Sequence, residues 1–217
     1  MITLVNILAL VFAYLIGSVA SAVWIGQIFY RIDVREYGSG NSGATNAFRI
    51  LGKKAGVAVL FIDSFKGWLS VNLATVLNMA GISHMIPGTA PFIDLQLALG
   101  IAALLGHIFP VYVGFRGGKG IATLLGIIMA VHPAAALASM GVFVIVLLIS
   151  RYVSLSSMIA ATTFPIVVIF IFETTISSLV IFSLIIAILV LITHQKNIER
   201  LLRKEEGKAN LFGKSET

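Results

Sequence analysis

The chain has 217 residues, 59% hydrophobic and only 11% charged, with 15 Lys and Arg against 9 Asp and Glu, for a formal net charge of +6. A mean hydropathy of +1.03 lies far outside the range of a soluble globular domain, and the basic excess follows the ends of apolar runs too closely for a nucleic-acid-binding reading. Cysteine is absent, which excludes disulfides, thiolate catalysis and Cys-based metal sites.

Residues 2–30 form an apolar run long enough to cross a ~30 Å hydrocarbon core, which takes roughly 20 helical residues. Ala20-Ser21-Ala22 resembles a leader cleavage site. No positive charge precedes the run, however, and it continues through Trp24, Ile25 and Phe29, so it reads as a retained span. A polar island follows at 37–56, YGSGNSGATNAFRILGKKAG. Gly38, Gly40 and Gly43 open backbone conformations closed to other residues. Ser39, Asn41, Ser42, Thr45 and Asn46 supply short hydrogen-bonding groups directly before Arg49, Lys53 and Lys54. The segment suits an anion cradle in which successive N–H groups converge on an oxyanion; the weaker alternative is an ordinary loop whose small residues make turns.

The second predicted span is 56–80. Asp63 and Lys66 lie three apart within it, which predicts a paired charge in a structural role. The third, 95–113, runs into the second island, GHIFPVYVGFRGGKGIAT at 106–123. A nucleotide-binding P-loop would read GxxxxGK followed by Ser or Thr and would follow a strand. Gly120 follows Lys119 instead, between membrane helices, so that reading fails. Its physics still applies: Gly117, Gly118 and Gly120 bring backbone amides close to a phosphate, Arg116 grips two oxygens and Lys119 adds a point charge. A helix starting near Ile121 points its positive end at the same place. The alternative makes Arg116 and Lys119 topology anchors and the glycines packing devices. His107 reads as a base or as a packed ring.

The apolar block 120–150 overshoots one crossing and divides at His132-Pro133 into helices over about 120–131 and 134–150. Arg151 to Ser154 make a minimal loop, with Ser154 on the side of the islands, and spans at 152–172 and 176–193 follow. The third island, THQKNIERLLRKEEGKANLF at 193–212, reads as a short surface helix with Ile198, Leu201, Leu202 and Leu211 on its apolar face, opening a basic tail from about 194. His194 and Asn197 stand one turn apart at the membrane boundary and can face one pocket.

Charge tests this count. With the N-terminus outside and the C-terminus cytoplasmic, every Lys and Arg except the intrahelical Lys66 falls on the inner side, and the outer loops hold none. The expectation is an all-α integral membrane protein of about seven transmembrane helices, a single polytopic domain over 1–217. All three islands then open at the cytoplasmic face, at headgroup level. Only Asp33, Glu36 and the tail acids are near them, too few for an oxygen-ligand metal site or a two-carboxylate acid–base mechanism.

GSGNSGATNAFRILGKKAG, GHIFPVYVGFRGGKGIAT and HQKNIERLL resemble, in order and with compatible spans between them, the three cytoplasmic motifs of the bacterial acyl-phosphate:glycerol-3-phosphate acyltransferase family. The resemblance covers essentially the whole chain. One departure is Ser42, where the family commonly has Pro after Asn, at a position that shapes the loop rather than touching substrate.

The resemblance implies transfer of a fatty acyl group from acyl phosphate to the 1-hydroxyl of glycerol 3-phosphate. The products are lysophosphatidic acid and phosphate, in the first step of phospholipid synthesis at the bacterial cytoplasmic membrane, with the active site facing the cytoplasm. It implies glycerol 3-phosphate, acyl phosphate and membrane lipids as partners, with no cofactor, metal, nucleic acid or obligate protein partner. By matching residues, Ser39 and Arg49 form the first motif's essential polar pair, Arg116 and Lys119 bind phosphate, and His194 and Asn197 orient glycerol 3-phosphate or the leaving group. Gly40, Asn41, Gly43, Thr45, Asn46, Gly117, Gly118, Gly120 and Ser154 complete the expected substrate contacts.

An acyl phosphate is a mixed anhydride and already activated, so direct transfer by positioning and charge stabilisation is expected. A covalent route through Ser39 is disfavoured because no adjacent base is visible. Two rival classes fit the sequence less well. A transporter of an anionic metabolite would typically show paired repeats and a midplane site. An intramembrane serine protease would place its nucleophile inside a helix bundle, whereas Ser39 lies in a polar loop.

Overall fold

A computed structural model describes residues 3–209; Leu211, expected on the surface helix, lies outside them. Among the described residues there are helices and turns but no strand, as an apolar chain requires when its backbone must satisfy its own hydrogen bonds in hydrocarbon. The chain forms two compact units, Met1–Pro133 and Ala134–Thr217.

The first unit contains α1 (Leu4–Gly17), α2 (Ser21–Ile25, continuing as a wide-turn helix over Gly26–Tyr30), α3 (Ala44–Ile50), α4 (Lys53–Met79), α5 (Ala90–Ile108) and α6 (Ile121–Val131). Where one helix is expected over 2–30, the chain breaks between Gly17 and Ser21 and bends by 40°. The cause is tertiary. A Cβ on Gly17 would fall 2.0 Å from the Ala103 carbonyl oxygen, and one on Gly106 would fall 2.2 Å from that of Tyr14, so α1 and α5 touch backbone to backbone. At the break the Ser18 hydroxyl donates back to Tyr14 O at 2.9 Å, and the Val19 carbonyl accepts from Lys66 Nζ at 2.7 Å.

Helix α4 is the hub, packed against α1, α2, α3, α5 and α6. Its crossing with α6 is again set by glycine: a Cβ on Gly67 would meet Thr123 O at 2.2 Å, and one on Gly126 would meet Ser64 O at 1.8 Å. Lipid tails supply no hydrophobic drive between helices, and such small-residue contacts maximise dispersion instead. The pairing expected in α4 is present, with Lys66 Nζ 2.8 Å from Asp63 Oδ1 and both side chains buried. Removing one partner of a buried pair typically costs about 3–5 kcal/mol, because the other charge is stranded.

The second unit contains α7 (Pro133–Ser150), α8 (Val153–Ile166), α9 (Ser177–Thr193) and α10 (Gln195–Leu202). Helix α7 buries Ala135, Ala136 and Ser139 and exposes Ile145, Leu148 and Ile149, as a lipid-facing span does. Pro165 lies inside α8, and the chain continues past it as a wide-turn helix over Val167–Ile171, an adjustment that absorbs the lost backbone donor. The break at His194 bends α9 and α10 by 57°.

By length and composition four helical stretches can cross a membrane, Lys53–Met79, Ala90–Val113, Pro133–Ser150 and Val153–Ile171, or six when each bent pair counts as one span. The remaining expected crossing, 120–131, is α6. Its 11 residues rise only about 16 Å, half the core thickness.

Candidate functional site

In the first unit, the loop before α3 is organised from within by Asn46. Its side chain is 2% exposed; Nδ2 donates to the carbonyls of Val34 (2.8 Å) and Tyr37 (3.1 Å), and Oδ1 accepts the Ser39 N–H at 3.0 Å. Gly38 takes φ 62°, and a Cβ there would fall 2.4 Å from Asn46 Oδ1. Both amide protons of Asn46 are therefore spent on the loop, which makes this expected substrate contact a support. Ser42 is also buried, in keeping with a shaping role. Ser39, Gly40, Thr45 and Arg49 are exposed on the loop and on α3, while Asn41 and Gly43 are half-buried beside them.

The second loop folds back on the C-terminal end of α5. Phe115 N donates to Pro110 O, Gly117 N to Ile108 O and Gly118 N to His107 O, at 2.9, 3.1 and 3.2 Å. The amides of Gly117 and Gly118, expected to face a phosphate, thus close the turn instead. What the loop presents is the exposed Arg116, the half-buried Lys119 and the start of α6. That helix begins at Ile121 behind Gly120, which adopts a left-handed φ of 81° and provides no side-chain cap. The first amides of a helix lack intrahelical acceptors and carry the positive end of its dipole.

Arg35 joins these two loops, a role that nothing in its sequence context announces. It forks onto Asp33, with Nε and Nη2 at 3.0 and 2.7 Å from the two carboxylate oxygens, and sends Nη1 to the carbonyls of Val113 (2.7 Å) and Arg116 (3.4 Å). The Arg35 hydrogen bond holds the Asp33 carboxyl below its ordinary value, and nearby Arg116 acts in the same direction.

The second unit carries His194, Asn197 and Ser154, all buried. His194 Nδ1 is 2.8 Å from the Val190 carbonyl; since a carbonyl only accepts, Nδ1 holds the proton and Nε2 is the unprotonated nitrogen of the neutral ring. Glu206, in sequence one of several tail acids, gathers Ser154 and Asn197. Its Oε1 accepts from the Ser154 hydroxyl and from Asn197 Nδ2, each at 2.7 Å, and its Oε2 accepts from Arg200 Nε at 2.7 Å. Burial alone would raise the Glu206 carboxyl, but these three hydrogen bonds outweigh it and the net shift is downward. The hydroxyl proton of Ser154 is committed to Glu206, so Ser154 braces the tail rather than donating to an anion. Lys208 lies over the Tyr152 ring, 5.6 Å from its centroid, and Ala209 N donates to Arg151 O at 2.7 Å. The tail thereby folds onto the start of α8.

These features define a polytopic helical membrane protein with cationic, glycine-rich loops. The sequence model of the glycerol-3-phosphate acyltransferase family matches residues 7–204, and the chain belongs to that family. It is similar to the glycerol-3-phosphate acyltransferase of Chlorobium phaeobacteroides strain BS1, 37% identical over 99% of this chain and 100% of that one. Glycerol-3-phosphate acyltransferase 2 of Bacillus anthracis is 42% identical over 94% of this chain and 98% of that one. Two crystal structures of PlsY (YgiH), an integral membrane glycerol 3-phosphate acyltransferase, share the fold. The glycerol 3-phosphate form has a TM-score of 0.81 at 36% identity, covering 95% of this chain and 96% of that chain. The lysophosphatidic acid form has a TM-score of 0.77 at 35% identity, covering 94% and 95%.

Proposed function

We propose that this chain transfers the acyl group of an acyl phosphate to the 1-hydroxyl of glycerol 3-phosphate, in the bacterial cytoplasmic membrane and on its cytoplasmic face. The observation that carries the reading is the start of α6: a helix without a side-chain cap, entered through Gly120 and preceded by Arg116 and Lys119. Two cations, one of them a forked guanidinium, and a set of helix-terminal amides form a receptor for phosphate, which both substrates carry. Membership in the family and the relatives' glycerol 3-phosphate and lysophosphatidic acid forms support the same chemistry. The one-sided distribution of Lys and Arg supports the cytoplasmic orientation.

In the proposed reaction the 1-hydroxyl oxygen attacks the acyl carbonyl carbon, the bond from that carbon to the phosphate oxygen breaks, and phosphate leaves with the electron pair. Arg49, Arg116 and Lys119 stabilise its growing charge. His194 and Asn197 orient the glycerol hydroxyls, with the unprotonated Nε2 of His194 as hydrogen-bond acceptor. The hydroxyl proton has two acceptors of suitable chemistry, His194 Nε2 and an oxygen of the departing phosphate. Ser39 acts by hydrogen bonding. Among the described residues no side chain hydrogen-bonds its hydroxyl, so transfer proceeds directly, without an acyl-enzyme. Exposed Gly40, Thr45 and half-buried Asn41 and Gly43 complete the cradle.

Kinetics of Arg49→Ala and Lys119→Ala in purified protein test the reading. Each variant is expected to raise the glycerol 3-phosphate KM or abolish turnover while the protein remains folded in the membrane; wild-type kinetics in both would remove the phosphate-receptor reading.

A further inference from the structure

Ser21, Asp63, Lys66 and His107 are buried together in the helices of the first unit. Asp63 Oδ1 accepts from the Ser21 hydroxyl at 2.8 Å and pairs with Lys66 Nζ at 2.8 Å. Lys66 also holds the Val19 carbonyl at the break between α1 and α2. His107, in the last turn of α5, places Nδ1 3.8 Å from the same carboxylate oxygen. An ion pair in an apolar interior needs no purpose beyond mutual neutralisation. The opposite edge of the histidine ring supplies a further observation.

That edge lies against the glycine-rich loop. A Cβ built on Gly118 would fall 2.4 Å from His107 Nε2, with Cε1 and Cδ2 of the same ring at 3.2 and 3.4 Å as its next neighbours. All three closest atoms belong to His107, so this ring occupies the place a side chain at 118 would take. The loop also hangs from the His107 backbone. Gly118 N donates to the His107 carbonyl, and a Cβ on Gly117 would fall 1.9 Å from that oxygen.

We propose that His107 is a positioning residue for the phosphate-binding loop: the buried Asp63–Lys66 pair seats its imidazole, and the seated ring sets where Gly118, Lys119 and the start of α6 stand. The inference rests on the phosphate reading of that loop given above. It assigns the intramembrane ion pair a task in substrate affinity, exercised through His107, in addition to holding the broken first helix.

The geometry prescribes a double-mutant cycle in the full-length, detergent-purified protein. Gly118→Ala drives a methyl into the ring and is expected to weaken both the glycerol 3-phosphate KM and the dissociation constant for inorganic phosphate by on the order of tenfold. His107→Ala releases the loop and weakens both by severalfold. In His107→Ala/Gly118→Ala the methyl enters the space the ring has left, so binding is better than in Gly118→Ala alone; losses that simply multiply would overturn the proposal. Asp63→Asn/Lys66→Met removes both charges without stranding one, and keeps the proposal open to test should His107→Ala not fold. It is expected to raise both constants with kcat close to wild type, whereas a change confined to the melting temperature would refute the link from ion pair to loop. Inorganic phosphate binding, read by calorimetry, needs no turnover. A non-additive cycle in a protein without acyltransferase activity would sustain the positioning role and sink the proposed function; an additive cycle in an active enzyme would do the reverse.

Discussion

Asn46 closes the loop that carries Ser39: its Oδ1 accepts the Ser39 N–H at 3.0 Å while its two amide protons hold the carbonyls of Val34 and Tyr37. Replacement by Asp keeps the acceptor but turns a carboxylate toward two carbonyl oxygens. Asn46→Asp is therefore expected to lose about 1–3 kcal/mol of stability and most turnover. Thermal melting and kcat, measured on the same preparation, check both effects.

Arg35 ties this loop to the next one through a forked contact with Asp33 and the carbonyls of Val113 and Arg116. Lysine keeps the charge but cannot span both partners in one plane. Arg35→Lys is expected to raise the glycerol 3-phosphate KM on the order of tenfold while folding is retained. Steady-state kinetics with glycerol 3-phosphate as the varied substrate measure it.

The tail contact should be pH-dependent with a defined sign. The Glu206 carboxyl lies below its ordinary value of 4.5 in the folded protein. Its contribution to stability is therefore complete above about 4.5, and it is lost as pH falls through the lowered folded value. Glu206→Gln is expected to melt below wild type at pH 7, and the gap should close as the pH is taken below 4.5. Paired melting curves across that range decide it.

His194 uses its two ring nitrogens differently: Nδ1 donates to Val190 O, and in the proposed reaction Nε2 is the nitrogen that faces a substrate hydroxyl. Asparagine places an amide near the Nδ1 position and provides nothing at Nε2. His194→Asn is expected to melt near wild type yet lose on the order of 10²-fold or more in kcat.

Much of this architecture is legible in the chain. The apolar runs mark the helices, His132-Pro133 divides α6 from α7, Ile121 opens α6, and the spacing of Asp63 and Lys66 announces their pairing. What stays hidden is set by partners distant in sequence. The break after Gly17 sits inside an uninterrupted apolar run and follows from backbone contact with α5 at Ala103 and Gly106. Arg35 looks like any other basic loop residue, and its function depends on carbonyls about eighty positions away. Glu206 is one of several tail acids until the tail folds onto Ser154 and Asn197. The glycines of the second loop point correctly to close approach. Their composition does not reveal that the approach at 117 and 118 is to α5.

The most direct test of the central claim is a donor-resolved assay. Purified protein in lipid would be given radiolabelled glycerol 3-phosphate together with acyl phosphate, acyl-CoA or acyl-carrier protein in separate reactions. Labelled lysophosphatidic acid from acyl phosphate alone is the expected result. No product from any donor, accompanied by net movement of glycerol 3-phosphate into sealed vesicles, would contradict it.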